Sequence, residues 1–321
     1  MLFTFVTLFC VLFFIASCFT GGKSWRETRE LFYGKYYAED GLINQTDKPN
    51  SKEAFQNCID NGIGIKTKLF YTKDGRLAIS AYNDLSKEHG VDLKVSECEM
   101  DQLAEMGILA MTDLIDMVDN KLPVIFELNG CSNNEAMCRT IADLIKASEK
   151  KNLAVCSFNP GVIAWFKERE KNIFRGVVAA PAKEFVSLSP MQRWVTGNLA
   201  NNINTRPNFM LYRNRPLSIF VKFAATSGVL KGVWTIDNQA EATRLEEEKE
   251  LIVVRGFMPD KLQFREMPAA PVQQTPAGKT AQPVSRQRKI SEVVEEVKEE
   301  LKEVVAEAKE EIKELKEELK D

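Results

Sequence analysis

The chain has 321 residues, of which 44% are hydrophobic and 28% are charged, and its formal net charge at pH 7 is −3. This charge balance gives no electrostatic basis for binding nucleic acid, so we expect no nucleic-acid partner. The sequence contains a single histidine, His89. It therefore excludes any mechanism in which two histidines exchange protons with a substrate.

The first segment, residues 1–22, is almost wholly apolar and has no charged side chain before Lys23. About twenty such residues can cross a bilayer as a helix. The basic residues follow this run instead of preceding it, which favours an uncleaved single-pass membrane anchor with the rest of the chain on the cytoplasmic side. The five cysteines beyond this segment form an odd number without metal-ligand spacing, and we expect them to be reduced and mostly buried, in keeping with the cytoplasm.

Two alternatives to the anchor remain open. Ile15-Ala16-Ser17-Cys18 resembles the cleavage box of bacterial lipoproteins, which would make the protein an exported lipoprotein lipidated at Cys18. A secretory signal that is removed entirely is the other alternative.

Residues 34–264 alternate short apolar runs with longer helical patterns. The predicted strands are 36–38, 63–69, 123–128, 154–158, 174–178, 208–212, 232–236 and 251–254. The predicted helices are 51–61, 112–118, 135–150, 160–167, 190–203, 217–227 and 239–248. Eight strands joined by crossover helices predict an α/β fold, a TIM (β/α)8 barrel, and its chemistry would lie at the carboxyl ends of the strands.

The second predicted strand leads into a hairpin. Lys66 and Lys68 alternate with the apolar residues of this strand, so both lysines face the same side. Thr72-Lys73-Asp74-Gly75 is a tight turn because Asp-Gly supplies the positive φ that a hairpin needs, and residues 76–80 return as an extended run.

This stretch resembles the signature of the glycerophosphodiester phosphodiesterase family, in which a strand with Glu-x-Asp is followed by Thr-x-Asp-Gly, an apolar strand and His-Asp. The resemblance covers residues 34–262. Further motifs that resemble the family lie at 34–43, 48–55, 123–129, 157–160 and 233–236.

The resemblance implies a hydrolase that releases glycerol 3-phosphate from glycerophosphodiesters, with Ca²⁺ or Mg²⁺ held by carboxylates and two histidines that exchange protons. Aligned on the turn, the family's metal-binding carboxylates fall on Lys66 and Lys68, and a third acidic position falls on Pro49. The family's His-Arg pair falls on Glu39 and Asp40, its His-Asp pair falls on Ala81 and Tyr82, and its later lysine falls on Asn129. Glu127 is the one metal-site carboxylate that is retained.

These replacements predict that no metal binds and that no residue is catalytic. The side chains expected to line the pocket are Glu39, Asp40, Lys66, Lys68, Glu127, Asn129 and Trp234. One hypothesis is that the three acidic residues of this set pair with its two lysines across the barrel mouth. Two alternatives are open: the side chains have drifted and point to water, or the lysines hold a phosphate group directly.

The last part of the chain has a different composition. Residues 265–289 are rich in Pro, Ala, Gln and Thr and predict a disordered linker. Residues 290–321 contain no Gly or Pro, and their apolar residues recur at steps of three and four, which predicts a long charged amphipathic helix of the coiled-coil type. Self-association or docking on a partner protein is the expected role, and a single solvated helix is the alternative.

Taken together, these patterns predict a membrane-anchored, glycerophosphodiester phosphodiesterase-like protein that is catalytically inactive and has a binding or scaffold role. The alternative is an active phosphodiesterase of lipid metabolism.

Overall fold

The structure is a computed structural model that describes residues 21–22, 26–43, 47–186, 188–226 and 228–268. The apolar run 1–20, most of the predicted linker and the predicted C-terminal helix lie outside these residues. Of the described residues, all but 188–192 and Pro268 belong to one compact unit. None of the helices within the described ranges is long and apolar enough to cross a membrane.

Nine strands form one sheet, and eight of them close into a parallel barrel. The strands are β1 Lys35–Glu39, β2 Gly64–Tyr71, β3 Leu77–Ile79, β4 Val124–Leu128, β5 Leu153–Ser157, β6 Phe174–Ala179, β7 Phe209–Arg213, β8 Leu230–Ile236 and β9 Leu251–Val254. The ring runs β1-β9-β8-β7-β6-β5-β4-β2 and is closed by parallel pairing of β1 with β2, while β3 is antiparallel to β2 and lies outside the ring. The predicted barrel is confirmed, with each predicted strand within two residues of its observed bounds.

Helices connect the strands. Those of the described residues are α1 Arg26–Phe32, α2 Lys52–Asn61, α3 Ser86–His89, α4 Met100–Glu105, α5 Met111–Val118, α6 Asn134–Ser148, α7 Pro160–Arg169, α8 Pro190–Gly197, α9 Asn202–Thr205, α10 Ile219–Ala225 and α11 Gln239–Leu245. The prediction of one helix over 190–203 is wrong. It is interrupted between α8 and α9, where Leu199 has a left-handed φ of 57° that an α-helix does not allow.

The depth of β2 in the barrel is fixed by the ends of α2. Ser51 caps the start of the helix by accepting a hydrogen bond from the Ala54 amide, and Gly62 ends it in a left-handed conformation with φ 70°. Only Ile63 separates this cap from the first residue of β2. The short connection leaves β2 no freedom to slide, so its lysines reach a fixed level inside the barrel.

Apolar side chains fill the lower part of the barrel interior. Phe32 of α1 stacks on Phe174 at 4.7 Å between ring centroids, and Phe174 stacks on Phe209 at 5.3 Å. Gly176 makes room for this stack, because a Cβ atom there would lie 2.3 Å from the Phe209 ring. The interior is therefore packed below, and polar side chains are confined to its upper end.

Candidate functional site

Strand register brings three charged side chains together inside the barrel. Glu39 is the last residue of β1 and is the register partner of Lys66 on β2. Glu127 lies on β4, the next strand on the other side of β2. Because side chains alternate across a strand, all three project from the interior face near the carboxyl ends of β1 and β4. We call Lys66, Glu39 and Glu127 the Lys66 cluster.

The Lys66 cluster is a buried ion-pair triad. The Lys66 ammonium donates a hydrogen bond to Glu39 Oε1 at 2.9 Å and forms an ion pair with Glu127 Oε2 at 2.5 Å. The side chains of Lys66, Glu39 and Glu127 are 0%, 1% and 4% exposed. One ammonium thus bridges two carboxylates with almost no access to water.

Two residues that the sequence analysis did not select complete the site. Glu39 Oε2 accepts hydrogen bonds from the Thr235 hydroxyl and from Arg255 Nη2, the latter at 2.9 Å. Arg255 is the first residue after β9, and its side chain is half exposed. Both oxygens of Glu39 are therefore engaged, one by the buried ammonium and one by groups at the rim.

The surroundings keep Glu39 and Lys66 charged at neutral pH. Burial by itself raises the pKa of Glu39, but the Lys66 ammonium, the Thr235 hydroxyl and Arg255 outweigh it and lower that pKa to about 2. Burial lowers the pKa of Lys66, but the negative charges of Glu127 and Glu39 outweigh it and raise that pKa above the ordinary 10.5. Glu39 stabilises the fold above its ordinary pKa of 4.5, and this stabilisation is lost as the pH falls towards 2.

The pairing hypothesis placed Asp40 in an ion pair with one of the two lysines. The structure shows no such pair. Asp40 adopts a left-handed backbone with φ 61°, is 5% exposed, and its Oδ1 accepts no hydrogen bond from the described residues. Burial, and next the negative charge of Glu39, raise the pKa of Asp40. These influences disfavour the charged form of Asp40, and its carboxyl group is not one of the two that the Lys66 ammonium contacts.

Lys68 and Asn129 also lie apart from the Lys66 cluster. The Lys68 ammonium donates to the Ala81 carbonyl at 3.4 Å and lies 5.8 Å from the centroid of the Tyr82 ring. The Asn129 amide donates to the Leu69 carbonyl at 3.5 Å. Lys68 therefore holds the segment that follows the hairpin, although it projects from the same strand as Lys66.

Trp234 closes the space beside the cluster. The Lys66 ammonium and the Arg213 guanidinium each lie 5.6 Å from the centroid of the indole ring. The indole N–H donates to the Ala179 carbonyl at 3.3 Å, and the ring meets Phe158 edge to face at 5.6 Å between centroids. These contacts hold the ring where it shields the buried ammonium from water.

The residues present do not fit a divalent cation. The position between the carboxylates of Glu39 and Glu127 is taken by the Lys66 ammonium, and a cation there would be repelled by it. Cys156, the register neighbour of Glu127, is buried, and burial raises the pKa of its thiol well above the ordinary value, so it is a neutral neighbour. Nowhere in the described ranges are three or more His, Cys, Asp or Glu residues grouped to hold a metal ion.

No proton-exchanging pair faces the cluster in the described part of the chain. Ala81 is a buried methyl group at the position where the resemblance expects a histidine, and the neighbouring Tyr82 is 46% exposed. His89 ends α3, outside the barrel ring, and its side chain makes no hydrogen bond or ion pair with Lys66, Glu39 or Glu127.

Comparisons with known proteins give matches at the level of structure. No protein-family model matches the sequence, and no curated protein matches it. A glycerophosphodiester phosphodiesterase from Thermotoga maritima is 19% identical, with a TM-score of 0.55 over 68% of this chain and 93% of that one. A phosphodiesterase from Oleispira antarctica, solved with the product sn-glycerol-3-phosphate, is 15% identical, with a TM-score of 0.57 over 70% of this chain and 93% of that one.

A glycerophosphodiester phosphodiesterase from Parabacteroides distasonis is also similar, at 18% identity and a TM-score of 0.52 over 68% of this chain and 92% of that one. At such identities the likeness establishes the fold alone. The resemblance inferred from the sequence motifs is confirmed at that level: the chain has the barrel fold of the glycerophosphodiester phosphodiesterases.

Proposed function

We propose that this protein is a catalytically inactive relative of the glycerophosphodiester phosphodiesterases whose barrel serves as a binding or scaffold module. The observation that carries the proposal is the position of the Lys66 ammonium, between the carboxylates of Glu39 and Glu127. The Lys66 ammonium neutralises both carboxylates. It also occupies the position from which a metal ion would contact both of them.

The chemistry of the cluster supports inactivity. Phosphodiester cleavage needs a positive group that neutralises charge on the phosphoryl oxygens, and groups that exchange protons near neutral pH. Lys66 is fully buried and already bound to two carboxylates. The pKa of Glu39 lies near 2 and that of Lys66 lies above 10.5, so neither group changes its protonation state near neutral pH.

The rim of the barrel supports the binding role. Arg255 and Lys68 bring cationic groups to the mouth, and Trp234 and Tyr82 add aromatic rings beside them. Cationic and aromatic side chains at the carboxyl ends of barrel strands suit a small ligand that carries an anionic group. Such a ligand would contact the rim, while the Lys66 cluster below it stays closed.

We expect no hydrolysis of glycerophosphocholine or glycerophosphoglycerol by the purified full chain with added Ca²⁺ or Mg²⁺. Enzyme-coupled detection of released glycerol 3-phosphate measures this, with the Thermotoga maritima phosphodiesterase as the positive control. A matched Glu127→Gln variant, shown to be folded by circular dichroism, distinguishes a contaminant from true turnover. Metal-dependent release that Glu127→Gln abolishes would show that the chain is an active phosphodiesterase instead.

We further propose that residues 1–22 anchor the barrel to a membrane on its cytoplasmic side and that residues 290–321 bind a second copy or a partner helix. The support is the almost wholly apolar run before Lys23 and the repeat of apolar residues in the last segment. We expect deletion of 1–22 to release the protein from membranes during alkaline carbonate washing. We expect deletion of 269–321 to lower the sedimentation coefficient of the protein in detergent to that of a monomer. Unchanged behaviour of either deletion contradicts the corresponding proposal.

A further inference from the structure

A cavity lies on the flank of the barrel. It has a volume of about 540 Å³ and is bounded by the outer faces of β7 and β8 and by residues of α10 and α11. Sites for small molecules in proteins usually measure roughly 300–1,000 Å³. The two helices beside it, α10 and α11, have seven residues each.

The inner wall of this cavity is apolar. Met210, Tyr212 and Val233 line it from the two strands, Leu217 lines it from the loop before α10, and Leu245 lines it from α11. Met210, Tyr212 and Val233 are at most 3% exposed. The wall can therefore accept a short apolar group without moving the core.

The outer part of the cavity is strongly basic. Its lining includes six basic side chains, which are Arg213, Arg215, Lys222, Lys231, Arg244 and Lys249. It includes only two acidic side chains, Glu241 and Glu248. In a chain whose net charge is −3, this excess of cations is a local feature and creates a positive potential in the cavity.

Some of these cations are neutralised by neighbours. Lys231 pairs with Glu250 at 3.3 Å, Arg244 pairs with Glu241 at 3.7 Å, and Arg213 pairs with Glu184 at 2.5 Å. These three have little charge left to offer to a ligand.

The other three cations are Lys249, Lys222 and Arg215. The Lys249 side chain is only 13% exposed. Its ammonium forms an ion pair with Glu248 Oε2 at 3.6 Å and makes no hydrogen bond within the described residues, and Glu248 is 59% exposed. Lys222 and Arg215 form no ion pair with any acidic residue that the structure describes. Lys249 is thus the most buried of the six cations, and its ion-pair partner is a solvent-exposed carboxylate that can turn away when a ligand anion binds.

We propose that this flank cavity binds an amphipathic organic anion, with its phosphate- or carboxylate-type group at Lys249 and its short apolar tail against Met210, Tyr212 and Val233. The site shares no residue with the Lys66 cluster. The proposal is therefore independent of whether the chain hydrolyses phosphodiesters.

Methyl NMR of the full chain labelled at methionine methyl groups tests the proposal, with hexyl phosphate as the probe. We expect the Met210 methyl resonance, assigned by Met210→Leu, to shift saturably, while the resonance of Met111, which is buried on α5 and does not line the cavity, stays in place. Hexanol and inorganic phosphate, which carry only one half of the probe each, should bind at least about tenfold more weakly.

Variants identify the groups that hold the anion. Lys249→Met should weaken hexyl phosphate binding about tenfold, which corresponds to loss of one charge-assisted hydrogen bond. Lys222→Met, on the exposed side of α10, should weaken it several-fold without risk to the fold, and Lys121→Met, an exposed lysine outside the cavity, is the matched control. Equal affinities for hexanol and hexyl phosphate, an unmoved Met210 resonance, or equal effects of the three variants would each overturn the proposal.

Discussion

Replacement of Lys66 by alanine is expected to lower the free energy of unfolding by about 3–5 kcal/mol, the usual cost of removing one member of a buried ion cluster. The reason is that Glu39 and Glu127 would remain 1% and 4% exposed without the ammonium that neutralises them. Arg255 would still contact Glu39, but Glu127 would have no cation. For a domain of this size we expect a fall of roughly 10 °C in Tm, and urea denaturation followed by tryptophan fluorescence measures the free energy directly.

Lys68→Ala is the matched control for this measurement. Lys68 lies two residues further along the same strand and faces the same side, but it is half-buried and its ammonium makes one long hydrogen bond, to the Ala81 carbonyl at 3.4 Å. We expect its removal to cost less than about 1 kcal/mol. Equal losses in the two variants would mean that the buried triad contributes nothing specific.

The same cluster can be removed as a whole. The triple variant Glu39→Gln, Lys66→Met, Glu127→Gln contains no buried charge at these positions and keeps similar side-chain volumes. Replacement of a complete buried ion cluster by neutral groups is often close to neutral for stability, so we expect this variant to recover most of what Lys66→Ala loses. A triple variant that is as unstable as Lys66→Ala would show that the loss comes from packing and not from uncompensated charge.

Strand positions and strand order were predictable from the sequence because they depend on local patterns. Buried parallel strands are short continuous apolar runs, and β9 has the predicted bounds, Leu251–Val254. The alternation of β2 also placed Ile65 and Leu69 on the face opposite to Lys66, as the structure has them. Register then follows from closure of the barrel, which leaves few ways to align eight parallel strands.

The composition of the ion cluster was less predictable, because it depends on which side chains meet across the barrel. Lys66 and Lys68 are equivalent in the sequence pattern, and Lys68 is the register partner of Glu127, yet it is the Lys66 ammonium that contacts both Glu39 and Glu127. Thr235 and Arg255 bind Glu39 from 196 and 216 residues further along the chain, a separation at which no local pattern operates. The position of Arg255 directly after the last predicted strand was the one available signal.

Replacement of Lys66 by glutamate is expected to convert the cluster into a cation-dependent one. The variant would place three carboxylates around the point at which the ammonium now lies, within 3 Å of both Glu39 Oε1 and Glu127 Oε2. Without a cation, mutual repulsion of three buried carboxylates should unfold the protein or lower its Tm by more than Lys66→Ala does. Carboxylate oxygens are the ligands that Ca²⁺ prefers, so added Ca²⁺ should restore much of the loss.

Thermal denaturation with Ca²⁺ and with a chelator measures this effect. A cation that binds only the folded state stabilises it by about 2.7 kcal/mol at a concentration of one hundred times its Kd, which is several degrees in Tm. The wild-type chain should not respond, because its cation is part of Lys66, and Lys66→Gln, with two carboxylates and no third, should respond less than Lys66→Glu. A wild-type response equal to that of Lys66→Glu would mean that a metal ion binds elsewhere and that the ammonium does not replace one. If only the glutamate variant responds, the same pair of carboxylates accepts either a metal ion or an ammonium, and residue 66 alone decides which of the two cations the barrel holds.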